Sequence, residues 1–469
     1  MYPRYLICLL GLALLAASPS SRAEAPDNPI PAPIPQSRVK VALHPIARGL
    51  TAPLHFAAAG KRGMTGYIVD QTGLILVLRE GGIRPEPFLD ITAIMSGLSP
   101  SVPGAPPGLT PGYDGRGLLG LAFHPGFDVE GSPGYRTLYT MHNVPVTKIA
   151  DFPIPPFPDA SVVPNCQEVI AEWKAIGGEK DDELVVDPAS YREILRFDKP
   201  QYNHNGGAIV FGRDRLLYAS IGDGGNANDV GPGHNPLVGN AQDLSTILGK
   251  ILRIDPLNPN LGSGQRNILS DNGQYHIPRS NPFVSAPGSL KEIYAYGLRA
   301  PHRMSFDKLS NRLIVGDVGQ KYVEEINIIT RGGNYGWRHK EGSFLFDPAT
   351  GEISIDTKPD PARIDPIAEY DHEEFGGNAG APVAVIGGFV YRGSSIPQLR
   401  GKYVFGDLTG VLLVANLYSG KIERLLHTGM LIKGFGQDGE GELYVLGSTS
   451  IGPSGTGGAV LAIQRAPRD

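Results

Sequence analysis

One paired-strand unit recurs along this chain. Two short runs with alternating apolar residues flank a tight turn of Gly, Asp or Asn, and the second run ends in Gly, Asp or Gln. The unit occurs at 54–78, 119–141, 208–254, 303–329, 387–417 and 435–463. Residues 214–225 (DRLLYASIGDGG), 311–320 (NRLIVGDVGQ) and 441–447 (GELYVLG) are close variants of one another. A hairpin of this size cannot bury its own apolar face, so such units must pack on copies of themselves. Their coarse spacing suits propeller blades of ~40–50 residues plus insertions. A β-sandwich or several small β domains would also use short alternating strands. Recurrence of the same unit along the whole chain favours the propeller.

Composition agrees. The 469 residues include 62 Gly and 42 Pro, a turn-rich content that suits many short strands. A formal net charge of -5 gives no basic footprint for nucleic acid or an anionic membrane.

The N-terminus reads as an export signal over 1–23. Arg4 makes a short positive region, 5–17 is an apolar run too short to span a bilayer, and Ser21-Arg22-Ala23 offers small residues for cleavage. Cys8 opens the apolar run instead of following it, which argues against a lipoprotein anchor. No later segment is apolar enough to cross a membrane. Cleavage would leave Cys166 as the only cysteine, with no intrachain disulfide and no C-x-x-C-H haem site. A soluble periplasmic or extracellular protein is expected. Residues 24–44 form a Pro-rich leader, expected to be extended and flexible, and 45–469 the propeller domain. Insertions are expected at 144–187, around an amphipathic QEVIAEWKAIG, and at the polar 344–371.

The unit at 203–225 carries candidate chemistry. Alternation puts Ala208, Val210, Leu217, Ala219 and Ile221 in packed strands around a turn at 212–215. Counting outward from the turn places Gly212 opposite Arg215, Gly206 opposite Ile221 and His204 opposite Asp223. Opposed residues of an antiparallel pair have Cβ atoms ~4.5–5.5 Å apart. A carboxylate there can fix the imidazole tautomer and leave the other ring nitrogen free as a base. The same pair could merely close a blade end, and a one-residue slip would break it.

Several motifs then point to a family. GLLGLAFHPGF (117–127), NHNGG (203–207), IGDGG (221–225), LGKILRIDP (248–256), IPRSNPF (277–283), EIYAYGLRAPHRMSFD (292–307), GDVGQKYVEEINIITRGGNYGW (316–337) and GGFVYRG (387–393) occur in order. Together they resemble the glucose/sorbosone dehydrogenase family, which includes soluble pyrroloquinoline-quinone (PQQ) sugar dehydrogenases and hedgehog-interacting-protein-like proteins. The resemblance covers about 45–463 and implies an all-β, six-bladed β-propeller. It implies that His204 is the general base toward a sugar hydroxyl, that Asp223 orients it, and that Arg299 stabilises charge on the reduced quinone. It implies that Gly319 and Gln320 hold the cofactor's Ca²⁺ through backbone carbonyls, and that Glu325 and Tyr335 ligate a structural Ca²⁺. Arg299 is otherwise a tether between blades, and Glu325 an ordinary solvated strand residue. Asp114 and Arg116 either line the cleft or form an i,i+2 pair that holds a loop.

The cationic clamp for the cofactor's three carboxylates departs from the family's pattern. Leu408-Thr409 stands where a fifth-blade lysine would fall, Leu431 and Lys433 replace a sixth-blade arginine pair, and Ala300 replaces an asparagine. That leaves Lys433 and Arg299. Each missing charge-assisted bond forfeits ~1.5–3 kcal/mol.

The leading expectation is an exported PQQ- and Ca²⁺-dependent dehydrogenase that oxidises a sugar hydroxyl or aldose C1. With no haem motif in the chain, it would pass electrons to an external acceptor. The alternative is a non-catalytic Ca²⁺-binding propeller that binds carbohydrate or a protein partner. A lactonase-like hydrolase ranks last, for want of a clear cluster of metal-binding carboxylates.

Overall fold

The computed structural model describes residues 29–58, 66–79, 82–98, 112–178, 183–261, 267–355 and 360–467. The expected export signal lies outside the described residues. Among the described residues, no helix is long and apolar enough to cross a membrane.

The chain is all-β. Four of the six recurrent units each begin an antiparallel sheet, strands in chain order. Four-stranded sheets begin at Leu118–Phe123, Gly206–Phe211, Pro301–Phe306 and Val385–Val390. A nine-stranded sheet holds the two remaining units. It divides where Pro53–Ala58 pairs parallel with Leu431–Gln437, His55 opposite Phe435 and Ala57 opposite Gln437. Its outermost strand is Val41–Leu50, which pairs antiparallel with the last strand, Gly458–Arg465. The two ends of the chain therefore meet in one sheet.

The first strands of the sheets lie against one another in chain order, and Leu431–Gln437 returns to Pro53–Ala58, so they form a ring. Backbones in this ring come too close for side chains at some positions. A Cβ on Gly434 would stand 1.7 Å from the Leu54 carbonyl oxygen, so the parallel join requires glycine there.

The core lies between successive sheets. In Leu217–Ile221, buried throughout, Leu217, Ala219 and Ile221 pack with Tyr139, Ile170 and Phe197 of the preceding sheet. Tyr218 faces the other way, with Met304 and Val315 of the next. A strand buried on both faces reads as a continuous apolar run.

Two segments differ from the sequence reading. The stretch 144–187 contains a regular strand of the second sheet, Cys166–Gly177, and the start of the next, Leu184–Lys199. Alternate residues of Cys166–Gly177 face opposite sides, which gave its sequence an amphipathic look. The described part of the leader, expected to be flexible, is pinned. Gln36 bridges to Arg424, the Arg424 amide donates to the Pro35 carbonyl at 2.9 Å, and the Ile34 amide donates to Glu374 at 3.2 Å. The 344–371 stretch is an excursion with strands Phe344–Asp347 and Glu352–Ser354, which joins Lys340–Glu341 in a separate three-stranded sheet.

Candidate functional site

A cavity of about 340 Å³ opens inside the ring, and every first strand contributes to its wall: Leu54, Leu119, Gly206, His302, Ile386 and Lys433. The predicted residues His204, Arg299, Asp114, Gly319 and Gln320 also line it.

His204 ends the approach to the Gly206–Phe211 strand, and Asp223 follows the Leu217–Ile221 strand. His204 Nδ1 lies 2.7 Å from Asp223 Oδ1. Gly206 stands opposite Ile221, as turn counting predicts, but through two deviations that cancel. The turn is one residue longer, since the Gly212 amide bonds Leu216 instead of facing Arg215. A bulge between Gly206 and Ile209 then restores the register. His204 adopts φ 47, and a Cβ on Gly222 would stand 2.1 Å from its carbonyl oxygen. Lys199 Nζ holds that same carbonyl at 2.6 Å.

Asp223 is fully buried and fully engaged. Oδ1 also accepts from the Gly225 amide at 3.0 Å, and Oδ2 accepts from Trp337 Nε1 at 2.9 Å. Burial, with Arg299 nearby, lowers the His204 pKa to about 4, against the pull of Asp223. Burial raises the Asp223 pKa, but His204 and Arg299 outweigh it and hold the group down at about 2. At neutral pH the pair is a neutral imidazole donating Nδ1–H to a carboxylate. Nε2 has no protein partner among the described residues, which suits a base facing the cavity.

Arg299 sits over the Trp337 ring at 5.5 Å. Its Nε donates to Gln320 Oε1 at 3.1 Å and its Nη1 to the Val318 carbonyl at 3.0 Å. It is thus a wall residue whose side-chain bonds stay within the loops of its own sheet and do not tie two sheets together. Asp114 and Arg116 form the i,i+2 pair, with Nη2 to Oδ2 at 2.8 Å and Nε to Oδ1 at 3.0 Å. Asp114 lines the cavity while Arg116 stands behind it. Lys433 Nζ donates to the Ile451 carbonyl at 2.7 Å, and burial lowers its pKa to about 8.

Glu325 and Tyr335 are not on the wall. Glu325 is buried, not a solvated strand residue, and accepts from the Gly342 amide at 2.7 Å and Asn327 Nδ2 at 2.9 Å. Burial and neighbouring Asp317 push its pKa well up. Tyr335 is tied within its own turn, its hydroxyl donating to the Ile328 carbonyl at 2.8 Å.

Sequence reasoning missed a second dyad. His372 lines the cavity, with Nε2 2.6 Å from Glu324 Oε1. Burial opposes its charge, but Glu324 more than offsets this and raises its pKa. Trp337, Lys199 and His302 were also missed. Trp337 reaches Asp223 from the next sheet, which no local motif states, whereas Lys199 stands only five residues before the His204 carbonyl it bonds.

A model of the glucose/sorbosone dehydrogenase family matches residues 104–454. The chain belongs to that family. It is 34% identical over 311 residues to HIPL2 protein of Arabidopsis thaliana, covering 62% of this chain and 42% of that one. It is 26% identical over 419 residues to human Hedgehog-interacting protein, covering 86% of this chain and 50% of that one. The chain thus spans half or less of these curated relatives. The PQQ-bound aldose sugar dehydrogenase of Streptomyces coelicolor superposes with a TM-score of 0.56 at 20% identity, over 92% of this chain and 99% of that one.

The wall fits the reacting end of a quinone site better than its anionic end. His204 and Asp223 are poised, but Arg299 and Lys433 already donate to carbonyls of the chain, and Ala300, Val383, Leu408 and Ile451 are apolar. Three carboxylates would meet few free cations, so these residues do not make a tight PQQ clamp. Among the described residues, no group of three or more His, Cys, Asp or Glu converges to hold a metal ion. The Ca²⁺ expectation rests on backbone carbonyls at Gly319 and Gln320.

Proposed function

We propose that this chain is an exported, six-bladed, sugar dehydrogenase-like propeller that removes the proton of a sugar hydroxyl or aldose C1 hydroxyl inside its ring. The four separate four-stranded sheets and the two halves of the nine-stranded sheet are its blades in this reading. The observation that carries it is the His204–Asp223 contact at 2.7 Å on the cavity wall, with the base held neutral. His204 Nε2 takes the hydroxyl proton, Asp223 steadies the imidazolium that forms, and Trp337 and Lys199 fix the two residues. PQQ with Ca²⁺ would supply the hydride acceptor and release the electron pair to an external acceptor. Of the cations on the wall, Arg299 and Lys433 already donate to backbone carbonyls, so the cofactor's three carboxylates would be held weakly.

Adding PQQ and Ca²⁺ to purified protein, then testing a sugar panel with an artificial electron acceptor, decides the matter. Cofactor absorbance with turnover, abolished in His204→Ala while melting stays normal, supports the reading. No absorbance and no turnover at saturation sinks it.

The thin cation lining, together with similarity to Hedgehog-interacting protein, favours a second reading: a non-catalytic Ca²⁺-binding propeller that binds carbohydrate or a protein partner. A Ca²⁺-dependent melting shift with no bound quinone would select it.

A further inference from the structure

Outside the cavity, Arg303 reaches across the ring. It belongs to the Pro301–Phe306 strand, yet its Nη1 donates to the carbonyl of Leu119, on Leu118–Phe123, at 2.7 Å. The Gly206–Phe211 strand lies between those two in the ring, so the side chain bridges strands that are not neighbours. It is 6% exposed and sits at φ 68, where the strand register shifts between Pro301 and Met304.

Its Nε and Nη2 have no partner among the described residues. These two nitrogens form the edge of the guanidinium whose parallel N–H groups grip an anion in bidentate fashion. The groups around it do not balance its charge. Burial lowers its pKa to about 10, so it remains a cation, and no carboxylate contributes. The nearby imidazoles His55 and His302 are kept neutral by burial and by Arg303 itself, at about 4 and about 3. Each already bonds the backbone of the Leu431–Gln437 strand, at Phe435 and Lys433. Lys433 adds a second positive charge near His302. A buried cation with a free bidentate edge and no acid is an anion site by its chemistry.

We propose that Arg303 binds a small monovalent anion of halide size at its Nε/Nη2 edge, inside the ring but outside the sugar-sized cavity. Leu54, Leu119, His302 and Ile386 line the cavity while Arg303 does not, which favours a small inorganic ion over a ligand entering from the cavity. The ion neutralises the guanidinium and holds it across the ring.

Crystals soaked in bromide should show an anomalous peak bridging Nε and Nη2. In solution, chloride should raise the melting temperature saturably, by about 1–2 °C over an isethionate salt of equal ionic strength. Arg303→Met should lose the chloride dependence. Should that variant fail to fold, Arg303→Lys, which keeps the charge but not the paired edge, should show a dependence reduced at least tenfold in apparent affinity. Only waters at Nε and Nη2 in the bromide crystal, or an unchanged chloride response in a folded variant, would overturn the proposal.

Discussion

Trp337 donates its indole N–H to Asp223 Oδ2 at 2.9 Å, while the opposite carboxylate oxygen holds His204. Trp337 arrives from beyond the Val323–Ile329 strand, so the third sheet's dyad is completed by the fourth. Arg299 lies on the same indole face. Base, orienting acid and arginine are therefore positioned through one ring.

Trp337→Phe keeps an aromatic face but loses the pyrrole ring and its N–H. A hydrogen bond to a buried carboxylate contributes about 1.5–3 kcal/mol. On the dehydrogenase reading, kcat should fall roughly 10–100-fold with KM nearly unchanged, since orientation of the base and not sugar contact is lost. Steady-state kinetics on the PQQ-loaded protein checks this, and full kcat in the variant would show that Asp223 needs no indole.

Two sets of buried groups oppose each other as pH falls. Burial raises Glu168 to about 8 and Asp317 and Asp407 to about 7, which favours the folded chain in acid, while histidines kept neutral favour it at higher pH. Burial lowers His55, His142 and His204 to about 4 and His302 to about 3. In the unfolded chain each would titrate near 6.5. Between pH 6.5 and about 4 the unfolded histidines bind protons that the folded ones refuse, so the histidines' share of stability rises with pH across that window. Below it the slope from these groups vanishes. Each histidine contributes up to about 1.4 kcal/mol per pH unit. Urea unfolding of the protein and of His142→Gln at pH 7, 6, 5 and 4 should show the variant gaining stability relative to the wild type as pH falls through that window. A difference that stays constant from 7 to 4 would contradict neutral burial of His142.

The hairpin shows how much of this was legible and why the rest was not. Local alternation and turn position are properties of adjacent residues, so the units at 54–78 through 435–463 and the Gly206–Ile221 pairing follow from sequence. The bulge between Gly206 and Ile209 was hidden, because a longer turn compensates it and the register comes out the same. Trp337 and His372 carried no local signal, because their partners Asp223 and Glu324 lie 114 and 48 residues away in the chain. The pinned leader was read as flexible because proline content reports backbone stiffness, not whether a neighbouring strand offers it carbonyls and carboxylates.

Ring closure rests on a contact that admits no side chain. In Gly434→Ala the new methyl would meet the Leu54 carbonyl, which is backbone and cannot rotate away. The parallel strands would have to part, with loss of the Phe56–Leu446–Val460 packing beside them. A destabilisation of about 3 kcal/mol or more is expected in urea unfolding, against about 1 kcal/mol for Gly273→Ala, whose Cβ meets nothing within 4 Å. Equal losses in the two variants would show that the join tolerates a methyl.

The leader connects the N-terminus to the cavity wall. The Ile30 amide donates to Asp371 Oδ2 at 3.3 Å and the Ile34 amide to Glu374 Oε1 at 3.2 Å, on either side of His372. Asp371 in turn caps the short 3₁₀ turn His372–Phe375 by accepting from the Glu373 amide. Starting the chain at Arg38 would strip these contacts together with the Arg424–Pro35 bond. At about 0.5–1.5 kcal/mol for each bond lost, global stability should drop by roughly 2 kcal/mol. Amide exchange should accelerate first in 371–375 and 422–427, while the Gly206–Ile221 hairpin stays protected. Hydrogen-exchange mass spectrometry on full and shortened chains resolves the two regions. Uniform acceleration, or none at His372, would show that the leader is not what holds that wall of the cavity.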